Sequence, residues 1–178
     1  MAKHTLAVLV DNSSGVLARV ASLFARRAFN IDSLAVGPTE DPTISRMTIV
    51  VNVEGHALEQ VIRQLDKLIN VIHVSEIKPA KSTQEELILV KVKNNSRIES
   101  IISKFGAKIV DNTENTVIIE STNIVTLNEE LLASLKEFGV IEFVQSGVVA
   151  LSHGSAALAD QTLDIQSVST DRQADYQN

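Results

Sequence analysis

The chain has 178 residues, 44% of them hydrophobic and 21% charged, with a net charge of −6 and no cysteine. That excludes a disulfide framework, a thiolate metal site and a cysteine nucleophile, and the acidic balance lacks the electrostatic footprint of phosphate-backbone binding. Aromatic residues make up only 3%, so any core is aliphatic, and no apolar run approaches the ~18 residues of a membrane span.

In chain order, the β-prone apolar run 5–10 reads as a first strand. Asp11-Asn12-Ser13-Ser14-Gly15 follows, a cluster of turn and helix-start residues. Val16, Leu17, Val20, Leu23 and Phe24 then recur at helical spacing, with Arg19, Arg26 and Arg27 off that face. Residues 30–36 read as a second strand, and Gly37-Pro38 and Asp41-Pro42 punctuate a loop. The β-rich run 45–53 makes a third strand. Leu58, Val61, Ile62, Leu65, Leu68 and Ile69 mark a second amphipathic helix, and the strand 71–77 is stopped by Pro79.

The order β-α-β-β-α-β over residues 1–79 is the split, ferredoxin-like arrangement, an antiparallel sheet with two helices on one face. Residues 80–83 read as a linker, and 84–154 repeat the order. There the run 87–92 is a strand, Ile98, Ile101, Ile102 and Phe105 form a helical face, and 107–110 and 117–121 are strands. Leu127, Leu131, Leu132 and Leu135 mark another helix, and 140–151 carries one or two last strands. Asn70-Val-Ile-His-Val-Ser and Gly139-Val-Ile-Glu-Phe-Val are matching phrases in the two halves. The expected class is α+β, two tandem ferredoxin-like βαββαβ domains with antiparallel sheets. The stretch 155–178 has little large apolar content and four Asp against one Arg. It cannot bury enough surface to offset its ordering entropy and is expected to be a disordered tail.

Most catalytic chemistry has no carrier here. The glycines are scattered singly, without a phosphate-binding loop. His4, His56, His73 and His153 show no metal-ligand spacing. There is no Gly-x-Ser-x-Gly elbow, and the carboxylate pairs Glu85-Glu86 and Glu129-Glu130 sit in polar surroundings. The predicted strands of the first half lack the aromatics with which such a sheet stacks RNA bases. No catalytic and no metal-binding residue is assigned.

What remains is the first strand–helix junction. Gly15 lets the backbone approach a partner without a Cβ in the way. The first helical turn leaves N–H groups unpaired, and its dipole favours negative charge. Asn12 supplies a donor and an acceptor. Asn30, at the start of the second strand, is expected nearby as a second amide to orient an ammonium group. Val16, Leu17 and Ile31 supply aliphatic walls. Together they fit a small zwitterion with a branched side chain, although Asn, Ser and Gly are also what any helix start requires. The equivalent run Lys93-Asn94-Asn95-Ser96-Arg97 has no glycine, so no matching site is expected in the second half. Arg46, at the opening of the third strand, is a candidate partner contact or an ordinary exposed cation.

The phrases Asp11-Asn-Ser-Ser-Gly-Val-Leu-Ala-Arg-Val, Phe29-Asn-Ile-Asp-Ser-Leu, Pro38-Thr-Glu-Asp-Pro-Thr-Ile-Ser-Arg-Met-Thr and Ser146-Gly-Val-Val-Ala-Leu resemble the regulatory small subunit of acetohydroxyacid synthase (acetolactate synthase). The resemblance covers about residues 1–154, and the first half looks like an ACT domain. It implies a non-catalytic subunit of branched-chain amino acid biosynthesis that binds and activates a catalytic large subunit and confers allosteric feedback inhibition by valine. Thiamine diphosphate, FAD and magnesium would belong to the large subunit, with no cofactor in this chain. ACT domains of this family pair as a homodimer, with valine at the contact between two copies. The effector residues carry over to Asn12, Gly15 and Asn30, with Ser14, Val16, Leu17 and Ile31 beside them. No nucleic acid or membrane partner is implied, and a short N-terminus points to the bacterial cytoplasm or the plastid stroma. A free-standing ACT-type amino-acid sensor acting on another enzyme, and an independent enzyme on the same scaffold, are the rival classes.

Overall fold

In a computed structural model that describes residues 2–155, 157 and 158, residues 5–10 of strand β1 (Ala2–Asp11) are all buried. Its two edges are paired inside a four-stranded sheet, one face lies under the helices, and Ala7 on the other packs with Ile77, Ala150 and Leu158. The other elements are α1 (Val16–Arg26), β2 (Ile31–Pro38), β3 (Ile44–Val53), α2 (Gly55–Leu65) and β4 (Val71–Ile77). The strand order is β2-β3-β1-β4 and every pairing is antiparallel. Leu6, Val8 and Val10 of β1 meet Met47, Ile49 and Val51 of β3, Val16, Val20 and Phe24 of α1, and Leu58, Val61 and Leu65 of α2. The helical spacing of those apolar residues is what puts both helices on one face. Each such side chain contributes ~1.5–3 kcal/mol on burial.

The second domain repeats the plan with β5 (Ser82–Lys93), α3 (Ile98–Ile102), β6 (Lys108–Asn112), β7 (Thr116–Asn123), α4 (Val125–Leu135) and β8 (Val140–Gln145). Its order is β6-β7-β5-β8, and a short β9 (Val149–Ser152) pairs with β5. Ile88, Val90, Val92, Ile98, Ile119, Leu131 and Leu135 form its core. A buried polar group closes one end: Asn128 donates to the Glu86 carbonyl at 3.1 Å and accepts from the Ser121 hydroxyl at 2.8 Å. The matching phrases are structural equivalents. Val71 pairs with Val10 just past a register shift in β1, and Val140 pairs with Val92 just past one in β5.

The segment between the two domains differs from the sequence reading. Residues 80–83 are not a free linker. Pro79–Lys81 form a 3₁₀ turn and Ser82 already opens β5, because the Lys78 carbonyl accepts from Lys81 N–H at 3.0 Å and from the Ser82 hydroxyl at 2.8 Å. The chain divides into residues 84–149 and a unit made of 1–83 with the segment from Ala150 onward. Ala150 sits with Ala7 and Ile77, Leu158 packs against them, and His153 N–H donates to the Lys81 carbonyl at 2.8 Å. Of the expected disordered tail 155–178, Ser155, Ala157 and Leu158 are placed on the first unit, and the rest lies outside the described residues.

Candidate functional site

The β1–α1 junction is pinned from three sides. Asp11 N–H donates to the Asn70 carbonyl at 2.9 Å, and the Asn70 amide returns a bond to the Asp11 carboxylate at 3.0 Å. Arg19 of α1 donates to the Asn70 side-chain oxygen. Asn12 then clips the β2–β3 loop. Its backbone N–H donates to the Thr43 carbonyl at 2.7 Å and its side-chain amide to the Pro42 carbonyl at 2.8 Å. That loop is itself set by Asp41, whose carboxylate accepts from the Thr43 hydroxyl at 2.6 Å and from Thr43 N–H at 2.8 Å. Those two bonds, the hydroxyl first, hold the Asp41 carboxyl below its ordinary value.

Gly15 begins the helix at φ 85°, ψ −7°. This is the left-handed region, where a Cβ costs ~1–2 kcal/mol. Nothing lies within 4 Å of where that Cβ would stand, so the glycine answers the turn and also leaves open space. Arg19 N–H returns to the Gly15 carbonyl at 3.1 Å and Val16 N–H reaches the Ser13 carbonyl at 3.5 Å. No group among the described residues accepts from the N–H of Leu17 or Ala18. With the Asn12 amide donor engaged on Pro42, its side-chain oxygen is the free half.

The predicted residues do not all converge. Ser14, Gly15 and Leu17 are exposed at the junction, with Leu17 45% exposed. Val16 is 4% exposed and packed in the core, so it offers the junction its backbone and no wall. Asn30 is at the opposite end of the sheet. Ile31 aligns with Val51 and through it with His4, near the start of β1, whereas Pro38 aligns with Ser45, next to Ile44 and Asp11. The βαβ crossover makes β1 and β2 parallel, so the start of one lies by the start of the other. Within one chain Asn30 donates to the Asp32 carboxylate at 2.9 Å, and Ile31 packs half-buried on the core. Sequence reasoning missed Pro42, Thr43 and Asn70, which act through backbone carbonyls or a turn amide and leave no motif.

The equivalent junction of the second domain is built by the same clip. Asn94 N–H donates to the Asn115 carbonyl at 2.9 Å, and its side-chain amide to the Thr113 carbonyl at 2.6 Å and the Asn112 oxygen at 2.9 Å. Arg97 stands where Gly15 does in the first domain, in right-handed helical geometry at φ −82°, ψ −12°. Its guanidinium lies 5.1 Å from the centre of the Phe138 ring and 3.2 Å from the Glu137 carboxylate.

Residues 6–73 match the AHAS small subunit-like ACT domain family, and residues 85–154 match the family described as the small subunit of acetolactate synthase. The chain belongs to the acetolactate synthase small-subunit family. Among similar proteins, the acetolactate synthase small subunit of Mycobacterium leprae is 51% identical over 155 residues, 85% of this chain and 92% of that one. The Mycolicibacterium smegmatis small subunit is 49% identical over 155 residues, 85% of this chain and 91% of the relative. The crystal structure of the Thermotoga maritima small subunit superposes with a TM-score of 0.82 at 34% identity, covering 88% of this chain and all of the other (100%). Family membership thus spans both domains. No described helix is long and apolar enough to cross a membrane.

Proposed function

We propose that this chain is the non-catalytic regulatory subunit of an acetohydroxyacid synthase, that it activates a catalytic large subunit, and that it confers feedback inhibition by valine. The relatives carry the name of a small subunit, and a small subunit presupposes a larger partner. In this reading thiamine diphosphate, FAD and magnesium sit on that partner. The pathway regulated is branched-chain amino acid synthesis, in a bacterial cytoplasm or plastid stroma.

One observation carries the effector half of the reading: the Asn12–Gly15 junction and Asn30 occupy opposite ends of a sheet in which β2, the strand that Asn30 precedes, is one of the two edges. An edge strand presents unpaired backbone groups to a second strand. A two-fold axis that pairs β2 with β2 of a second copy, antiparallel, sets the start of one strand beside the end of the other. Asn30 of the second copy then arrives at the end that holds Asn12 and Gly15. The valine carboxylate takes the N–H groups of Leu17 and Ala18, where the helix dipole also favours it. The ammonium takes the Asn12 oxygen and the Asn30 amide oxygen, and the isopropyl group lies on Leu17 and Ile31. Val16 contributes its backbone alone. Valine changes activity only through its different affinity for two states of the assembly.

The test is reconstitution with a catalytic large subunit, assayed with and without the chain and with and without valine. Activation by the chain and its loss on adding valine are expected. A companion thermal scan of the chain alone compares valine, leucine and isoleucine. Valine at about a hundred times its dissociation constant adds ~2.7 kcal/mol, a shift of several degrees. A chain that neither associates nor activates contradicts the subunit reading, and activation without any valine response contradicts the effector reading.

A further inference from the structure

The helix-free face of the first sheet holds a cavity that the effector reading leaves unused. Alternation along β1 turns Leu6, Val8 and Val10 to the helices, and so Ala7 and Leu9 to the other face. Register sets Arg46 beside Leu9 and Ser75 beside Ala7 on that face. The C-terminal segment crosses the same face through Ala150 and Leu158. A cavity of about 710 Å³ is lined there by Leu9, Ile44, Arg46, Ser75, Leu151 and Leu158. Small-molecule sites occupy ~300–1,000 Å³.

Arg46 is the unusual group in it. The side chain is half-buried, and one guanidinium nitrogen, Nη2, donates to the Ala150 carbonyl at 2.7 Å. No carboxylate among the described residues stands within ion-pair distance of it. Burial pulls its pKa down, and the charge of exposed Glu40, also on the cavity lining, opposes that. A half-buried cation with no anion within ion-pair distance carries a desolvation cost that the Glu40 charge and the Ala150 carbonyl offset only in part. A guanidinium has five N–H donors in a planar fork that matches a carboxylate bidentately.

We propose that this cavity binds a small aliphatic monocarboxylate, its carboxylate on Arg46 and its hydrocarbon against Leu9, Ile44, Leu151 and Leu158. Glu40 and Asp41 on the lining repel further negative charge, which sets a monoanion above a phosphate or a dicarboxylate. The loop that Asn12 clips at Pro42 and Thr43 lines the cavity at Glu40 and Asp41. The proposal does not depend on the valine site, which uses the Gly15 junction.

The probe is sodium hexanoate, titrated into the full chain and followed by methyl NMR and calorimetry, with hexanol as the uncharged control. Saturable shifts of the Leu9, Ile44 and Leu151 methyls are expected, and none from hexanol at equal concentration. Arg46→Gln weakens hexanoate binding about tenfold or more, the loss of a charge-assisted bidentate contact. Glu40→Gln tightens it, because an exposed acid no longer opposes the anion. That variant removes only a surface charge, so its sign is readable even where Arg46→Gln unfolds. Gly15→Asp leaves hexanoate binding unchanged. Absence of saturable shifts, equal response to hexanol, or weakening by Glu40→Gln overturns the proposal.

Discussion

Asn12 and Asn94 close the strand–helix junctions of the two domains in the same way. Each uses its backbone N–H and its side-chain amide on carbonyls of the following β-hairpin loop, Pro42 and Thr43 in one domain, Thr113 and Asn115 in the other. The asparagine is therefore part of the fold plan and does not by itself mark a site. The junctions differ three residues later. Gly15 takes a left-handed conformation with open space beside it, and Arg97 takes a helical one and lays its side chain over Phe138. The clip is common to both domains, and the two junctions differ in the backbone three residues on, left-handed at Gly15 and helical at Arg97.

Gly15→Asp is expected to break that difference most completely. It places a carboxylate where an anion would bind and forces a side chain into the left-handed region, which Asp tolerates better than most residues. Valine inhibition is lost while activation of the catalytic subunit survives, and denaturant melting shows a loss of about 1 kcal/mol. Loss of activation with retained valine sensitivity would move the effector elsewhere.

Paired alanine substitutions separate the clip from the site. Asn12→Ala and Asn94→Ala each remove a side-chain bond to the loop and cost ~1 kcal/mol by urea melting. Asn12→Ala also weakens valine, and Asn94→Ala leaves valine binding unchanged. Equal effects of both on valine would make the asparagines purely structural.

A smaller contrast lies in the β1–β4 and β5–β8 pairs. Glu76 accepts from His4 at 2.8 Å, with side chains 19% and 18% exposed, and also from Lys78. Burial alone would raise the Glu76 carboxyl, but the bonds from Lys78 and His4 outweigh it and hold the carboxyl below its ordinary value. A depressed carboxyl stabilises the fold above its unfolded pKa, and that stabilisation is lost as pH falls through the lower folded value. Glu76→Gln therefore lowers the melting midpoint near neutral pH and flattens its decline in acid. Glu142 is 73% exposed beside Lys91, and Glu142→Gln is expected to move the neutral-pH melting midpoint less than Glu76→Gln does, as befits an exposed pair. A Glu142→Gln melting midpoint at neutral pH that falls as far as that of Glu76→Gln would cancel this contrast.

The least effect belongs to Arg97→Ala. It removes a cation–π contact and an exposed pair with Glu137, each worth ~1 kcal/mol or less at exposed sites. Calorimetry should show stability slightly lower and valine binding unaltered.

Much of this was legible in the sequence. Helical spacing gave both helix faces of the first domain, and Val16, Val20, Leu23, Phe24, Leu58, Val61 and Leu65 are in its core, whereas Leu17 is exposed and Leu68 and Ile69 lie past the end of α2. The open space beside Gly15 was expected from the missing Cβ, and its left-handed conformation is added by the structure. Asn30 was misplaced because nearness was judged from strand ends without the strands' directions, although a helical crossover already makes β1 and β2 parallel. The packing of Ala150 and Leu158 on Ala7 and Ile77 was out of reach, since periodicity reports which face is apolar and not which distant segment covers it. For the same reason the sequence offered Arg46 as a partner contact or an exposed cation and not as a half-buried group bonded to Ala150.

The central claim is that one effector site is assembled from Asn12 and Gly15 of one copy and Asn30 of another. The most direct measurement mixes two inactive variants, Gly15→Asp and Asn30→Ala, after partial denaturation and re-pairing, and titrates valine by calorimetry. Each variant alone has no complete site. A mixed pair regains one, because the intact junction of the Asn30→Ala copy meets the intact Asn30 of the Gly15→Asp copy. Random re-pairing of equal pools should recover roughly a quarter of the wild-type sites at wild-type affinity. A mixture that binds no more valine than its separate components would contradict a site shared between copies.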